Sequence, residues 1–289
     1  MIRGTLYLIP LLILSFTGCL IPESNHVEPE YHLLTSQLLE TNDSLKIPDI
    51  SFHVREVSLP PYLDENRLVH RKSRSSINYL ENHRWGEPLG EGISRVTGLN
   101  LSKMFDCLAF SSYPNRSRQG ALYEISISIL KFERFDHQNV RLEAVIEIFH
   151  KNQLQLQLET SEVVQLTSRK TSSEVEALSS ALFRLSQLIA DSIFRLPLSQ
   201  CHIIVIDKFE VENQPLNEVL DGISKKFINN NTSFAGKMNI VNQTAKFNST
   251  DNSIISLNVQ DTSLFDILQI ISRKSGSFIK FSSTDIVLQ

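Results

Sequence analysis

Residues 123 to 159 alternate apolar and polar side chains in three successive runs, and no other feature limits the fold as tightly. Tyr123–Leu130, Leu142–Phe149 and Leu154–Glu159 each send every second side chain to one face, the period of a half-buried strand. The joints at His137-Gln138-Asn139 and Lys151-Asn152 are short and polar, so the runs are expected to fold back on one another as an antiparallel meander. Ile50–Val57 alternates in the same way, and Leu68–His70 with Ile77–Leu80 suggests a short pair.

Such a sheet has one wet face and one covered face, and two helices are expected to do the covering. In the clearer one, Leu178, Leu182, Leu185, Ile189 and Ile193 recur at spacings of three and four, a single apolar stripe. Ser173 to Glu176 has the form of a capping box at its start, and Pro197 is expected to stop it. The other runs from Pro88 towards Met104 with Ile93, Val96 and Leu99 facing inward, although Gly90, Gly92 and Gly98 weaken it.

The N-terminus sets the compartment. After Arg3 the chain is almost wholly apolar from Leu6 to Phe16, about eleven residues, where a bilayer-spanning helix needs roughly 20. That length suits an export signal over residues 1–18. It closes on Phe16-Thr17-Gly18-Cys19, which resembles the bacterial lipobox, so Cys19 is expected to carry fatty acyl chains such as palmitate. The alternative is an ordinary cleaved signal with an incidental cysteine. Each buried CH₂ contributes about 0.8 kcal/mol, so two acyl chains suffice to hold a protein to a membrane. Residues 19–30, with their prolines and glutamates, read as a flexible linker.

The region 31–198 resembles the auxiliary lipoproteins of ABC-type intermembrane transport systems, including the lipoprotein of the paraquat-inducible system. The segments that carry the likeness are Tyr31-His32-Leu33-Leu34, Val57-Ser58-Leu59-Pro60-Pro61-Tyr62-Leu63-Asp64, Leu68-Val69, His83-Arg84-Trp85-Gly86-Glu87-Pro88-Leu89 and Asn100-Leu101. The resemblance implies a non-enzymatic protein on the periplasmic face of the outer membrane that partners a tunnel-forming MCE-domain protein in moving lipid. Pro60 and Pro61 fix an extended loop, and Tyr62 and Trp85 are stiff amphipathic groups of the kind enriched at interface anchors. Pro60, Pro61, Tyr62, Leu63, Asp64 and Trp85 are therefore candidate partner-binding residues; the alternative is that Trp85 packs over the sheet and the prolines merely end a strand.

Beyond Pro197 the chain repeats itself. Val211–Lys226 lies over Val259–Lys274 at an offset of 48 residues without a gap. Leu216, Val219, Leu220 and Ile223 form one helical stripe, and Leu264, Ile267, Leu268 and Ile271 the other. With strands at Ile203–Val211, Met238–Val241, Ile254–Val259, Phe278–Phe281 and Ile286–Leu288, residues 200–289 read as two strand-helix-strand repeats sharing one sheet. The Asn229–Gly236 stretch reads as a mobile loop. This part resembles the short N-terminal domains of secretins and TonB-dependent receptors, carried by the turn-helix unit and by Phe278-Ile279-Lys280-Phe281 with Asp285-Ile286-Val287-Leu288. A homo-oligomeric ring is compatible with both resemblances. The fold class expected overall is α+β: an antiparallel sheet under two helices, then a small α+β domain.

Signatures of catalysis are not found. The eight histidines show no metal-ligand spacing, and no nucleophile elbow, P-loop or dinucleotide fingerprint occurs, so neither metal nor cofactor is expected. A net charge of −4 argues against nucleic acid as a partner. Arg71-Lys72-Ser73-Arg74 is the one compact basic run, open to lipid headgroups or simply solvated. Cys107 and Cys201 could staple the junction of the two regions as a disulfide or remain buried thiols.

Overall fold

Side chains that alternate in the sequence alternate in burial. The computed structural model describes residues 27–37, 45–115, 120–228, 238–243, 253–282 and 284–289. The export signal, Cys19, the linker as far as residue 26 and the Asn229–Gly236 loop lie outside them. In chain order the first region comprises β1 (Glu30–His32), β2 (Phe52–Val54), β3 (Arg67–Ser73), β4 (Ser76–Trp85), α1 (Leu89–Phe105), β5 (Phe110–Ser112), β6 (Tyr123–Arg134), β7 (Asn139–His150), β8 (Gln153–Gln165) and α2 (Thr171–Arg195). The expected meander is β6, β7 and β8, antiparallel throughout. Val140, Leu142, Ala144, Ile146 and Ile148 of β7 are all buried on one face, and the residues between them are half-buried on the other.

The sheet is mixed rather than antiparallel. β2 pairs in parallel with β5 on one side and with β6 on the other, and β1 runs parallel to β4. β6 is long enough to serve two neighbours. Tyr123–Ile125 pairs with β2 near its start, and Arg134 pairs with His70 of β3 at its end. Between those points the chain leaves the sheet as the 59–66 loop.

Helices α1 and α2 cover the buried face. Asn100 of α1 is fully buried and donates through Nδ2 to Ser186 Oγ of α2 at 3.2 Å, so a polar bond lies inside the helix pair. The α1 glycines are packing points: a Cβ on Gly98 would meet the Phe110 ring at 3.3 Å, and one on Gly92 would meet Glu87 Oε1 at 2.9 Å. Of the three residues expected to face inward, Ile93 and Val96 are fully buried and Leu99 is half-buried.

The capping box is not formed. The helix begins earlier, at Thr171, and Ser173 Oγ instead accepts from the preceding loop, from the amides of Thr167 and Ser168 at 3.0 Å each. Glu174, next in the chain, turns into the core beside His70 and Arg134. Pro197 does interrupt the helix, but the chain resumes at once as α3 (Pro197–Ile203) with the proline in its first turn.

The second region holds β9 (Val205–Pro215), α4 (Leu216–Ile223), a π-turn at Ser224–Ile228, β10 (Asn239–Asn242), β11 (Ile254–Ser263), α5 (Leu264–Ser275), β12 (Ile279–Phe281) and β13 (Asp285–Leu288). The 48-residue repeat is followed residue for residue at the strand-to-helix joints, Pro215/Leu216 and Ser263/Leu264. Asn213 and Asp261, again 48 apart, are both left-handed at φ 52° and 49°. That region suits Asn and Asp, whose side chains tolerate it better than most. The expected single sheet is two: β9 with β11, and β10–β13–β12. β9 pairs with β11 and β10 with β13, so strands of the two copies lie side by side in both sheets and the repeats intertwine.

The two regions meet around α3. Tyr123 Oη and Ser199 Oγ are 2.7 Å apart in the buried layer, and the Leu264 amide donates to Ile204 O at 2.8 Å. The His202 ring stacks on Phe265 at 4.1 Å, and Phe281 meets His150 edge-on. No disulfide joins Cys107 and Cys201; both thiols are buried, and burial pushes that of Cys201 far up.

Burial also holds His150 and His202 below the ordinary imidazole value of 6.5. The unfolded chain therefore takes up protons that the folded chain resists, so their share of stability is full above about pH 6.5 and is lost as pH falls through the folded values. Melting at pH 7.5 and pH 5 should show the fold less stable at the lower pH. His150→Gln should flatten part of that difference, His32, His53 and His202 being depressed by burial as well.

Candidate functional site

The predicted partner-binding segment forms a turn held from beneath. The Leu63 amide donates to Pro60 O at 2.9 Å, which closes a four-residue turn with Pro61 at the position where a fixed φ is favoured. Pro61 and Asp64 project into solvent, while Leu63 is buried and Tyr62 is half-buried. Tyr79 Oη donates to Tyr62 O at 3.2 Å, and Arg71 lies over the Tyr62 ring at 5.5 Å. The guanidinium of Arg71 in turn grips the carboxylate of Glu133 on β6 through two hydrogen bonds. Burial first, and then the Glu133 charge, push the Tyr62 phenol up to about 12, so it stays protonated.

Trp85 does not join this exposed surface. It ends β4 at 8% exposure, pairs with His32 of β1, and its amide donates to Asn66 O at 2.7 Å. Its part is to close the far end of the loop from the core, which is the packing alternative. Arg71 likewise leaves the basic run: it is tied to Glu133, and only Lys72 and Arg74 of that run remain exposed charges.

Beside the turn lies a cleft of about 520 Å³ between residues 56–59, Asp64, the first turn of α1 and Tyr113. Glu56, Asp64 and Glu91 give it an acidic lining, and the Glu56 charge is the main cause that raises the Tyr113 phenol. Carboxylates and a phenol line it, with no histidine or cysteine among the lining residues. An exposed, preformed turn next to an acidic recess is suited to recognising a protein surface. Sequence reasoning missed the cleft because Glu56, Glu91 and Tyr113 are far apart in the chain and belong to no motif.

The model of one protein family, described as the ABC-type transport auxiliary lipoprotein component, matches residues 31–190. The chain belongs to this family. The match spans β1 to most of α2 and includes the 60–64 turn and Trp85. The family is an auxiliary component of ABC-type transport, and as a lipoprotein family it implies a membrane-anchored envelope location. No helix among the described residues is long and apolar enough to cross a membrane. No curated protein matches the chain. Among solved structures, an uncharacterized protein is 17% identical with TM-score 0.49, covering 58% of this chain and 99% of that one. A Xanthomonas campestris protein of family DUF330 is 13% identical with TM-score 0.49, covering 57% and 95%.

Proposed function

We propose that the protein is a non-catalytic, lipid-anchored envelope component of an MCE-type intermembrane lipid transport system, and that it acts by holding a tunnel-forming MCE-domain partner. Cys19 is the lipidated residue, and the anchor lies in the outer membrane with the fold in the periplasm. Pro60, Pro61, Tyr62, Leu63 and Asp64 form the docking element, with Pro61 and Asp64 touching the partner, Tyr62 and Leu63 fixing the turn, and Trp85 supporting it from the core. The observation that supports this reading most is the braced and exposed turn lying within the family match. A turn that is already ordered loses little conformational entropy on binding.

The test is crosslinking in membranes followed by capture of the tagged protein. An MCE-domain protein is the expected partner, and Asp64→Lys should cut its recovery about tenfold, as reversing a contact charge costs on the order of 1–2 kcal/mol. Unchanged recovery with Asp64→Lys would remove the turn from the interface.

A second reading makes residues 200–289 the docking centre, for a secretin or a TonB-linked complex. The 48-residue repeat, kept in both strand-to-helix joints, favours it. Capture of a secretin or TonB component without any MCE protein would decide for this reading.

A further inference from the structure

Three ligand-type side chains that are scattered in the sequence converge at the β1–β4 edge. Glu30 and His32 are two residues apart on a strand and so share a face. Parallel pairing sets Glu30 opposite His83 and brings the three groups to the same side of the sheet. His32 Nε2 is 3.1 Å from His83 Nδ1, and Glu30 Oε2 is 3.5 Å from that same nitrogen. All three ligand atoms lie within 4.8 Å of one another.

A ring nitrogen has one proton or one lone pair, so it makes one good hydrogen bond. Two groups converge on His83 Nδ1, and a hydrogen bond satisfies only one of them. A cation satisfies all three. Zinc–nitrogen and zinc–oxygen bonds of about 2.1 Å at tetrahedral angles separate neighbouring ligand atoms by about 3.4 Å, between the two distances observed. The other ring nitrogen of His83, Nε2, lies 3.3 Å from Thr171 Oγ1 at the start of α2. An outer partner of this kind fixes the ring so that Nδ1 points inward.

We infer that Glu30, His32 and His83 form a binding site for a divalent transition-metal ion of the zinc type, with Thr171 as a positioning residue. Imidazole with carboxylate is the ligand set that such ions prefer over magnesium or calcium, and a fourth position is left for water. The ion would cross-link β1 to β4. β1 is only three residues long and begins eleven residues after Cys19, so the site would secure the strand through which the membrane tether pulls on the fold.

The test is Zn²⁺ titration of the detergent-solubilised full chain against a chromophoric chelator, with Co²⁺ absorption as the reporter of coordination geometry. The wild type should take up one ion in a tetrahedral site. Glu30→Gln and His83→Ala should each weaken binding by at least about 100-fold, and Thr171→Val by about tenfold. Zn²⁺ should also slow hydrogen exchange at residues 30–32 in the wild type and not in Glu30→Gln. Glu30 has a side chain 63% exposed, so Glu30→Gln leaves the core intact and keeps the test open if His83→Ala does not fold. Equal affinity in wild type and Glu30→Gln, or no uptake by the wild type, would overturn the inference.

Discussion

Replacing Arg71 with alanine should destabilise the first region by about 3–5 kcal/mol, because it strands a charge in the interior. The Glu133 side chain is fully buried, and Arg71 is its ion-pair partner at 22% exposure. Two charges taken out of water are tolerable only together. Removing one leaves the other with the desolvation cost and no attraction to offset it. Urea unfolding followed by Trp85 fluorescence measures the loss, since Trp85 is the only tryptophan and ends β4, the strand next to Arg71. The double variant Arg71→Met with Glu133→Leu should recover most of it, because an apolar pair of similar volume has no buried charge to satisfy. A shift under about 1 kcal/mol for Arg71→Ala would place the pair among solvated surface bridges. The functional consequence is local. Tyr62 loses the guanidinium over its ring, so the 62–64 amides should exchange faster and partner capture should fall even at temperatures where the fold survives.

Phe52→Ala should cost a comparable amount, about 3–5 kcal/mol, by a different route. Phe52 is fully buried, stacks on Phe110 at 5.6 Å and meets Phe105 at 6.1 Å. Truncating it opens a cavity between β2 and α1 that its two aromatic neighbours cannot fully collapse into. β2 is only three residues long, yet it bridges β5 and β6, so both pairings depend on that ring. A fall in melting temperature on the order of 10 °C is expected. Phe52→Leu, which keeps most of the volume, should lose much less. Equal losses for alanine and leucine would mean that ring geometry, and not cavity volume, sets the cost.

Three features of the fold were legible in the residues because each follows from which face is buried. The alternation at 123–159 became β6, β7 and β8; the Leu178–Ile193 stripe became the buried face of α2; and the 48-residue repeat located both strand-to-helix joints. Burial of one face imposes a period on the chain, and a period survives in the sequence. Pro60 and Pro61 marked a loop at that point, but the segment is a turn closed by the Leu63 amide on Pro60 O and not the extended loop expected.

Pairing was not legible. Residues 27–37 read as the end of a linker and the start of a domain, yet Glu30–His32 is a strand laid parallel to one that begins 46 residues later. The parallel seams of β2, the division of 200–289 into two sheets and the acidic cleft were equally hidden. Short strands carry too little pattern to name their neighbours. Charge gave the same lesson from the other side. Arg71 looked like part of a solvated basic run, and it is instead committed to the buried Glu133 of a different strand. The sequence by itself determined periods, turns and the repeat, which are local consequences of sterics and burial. Only the tertiary structure decided partners: which strand lies beside which, which charge neutralises which, and that Glu30, His32 and His83 meet at one point. Such contacts join His32 to His83, 51 positions apart, and His70 to Glu174, 104 apart, and no local spacing encodes them.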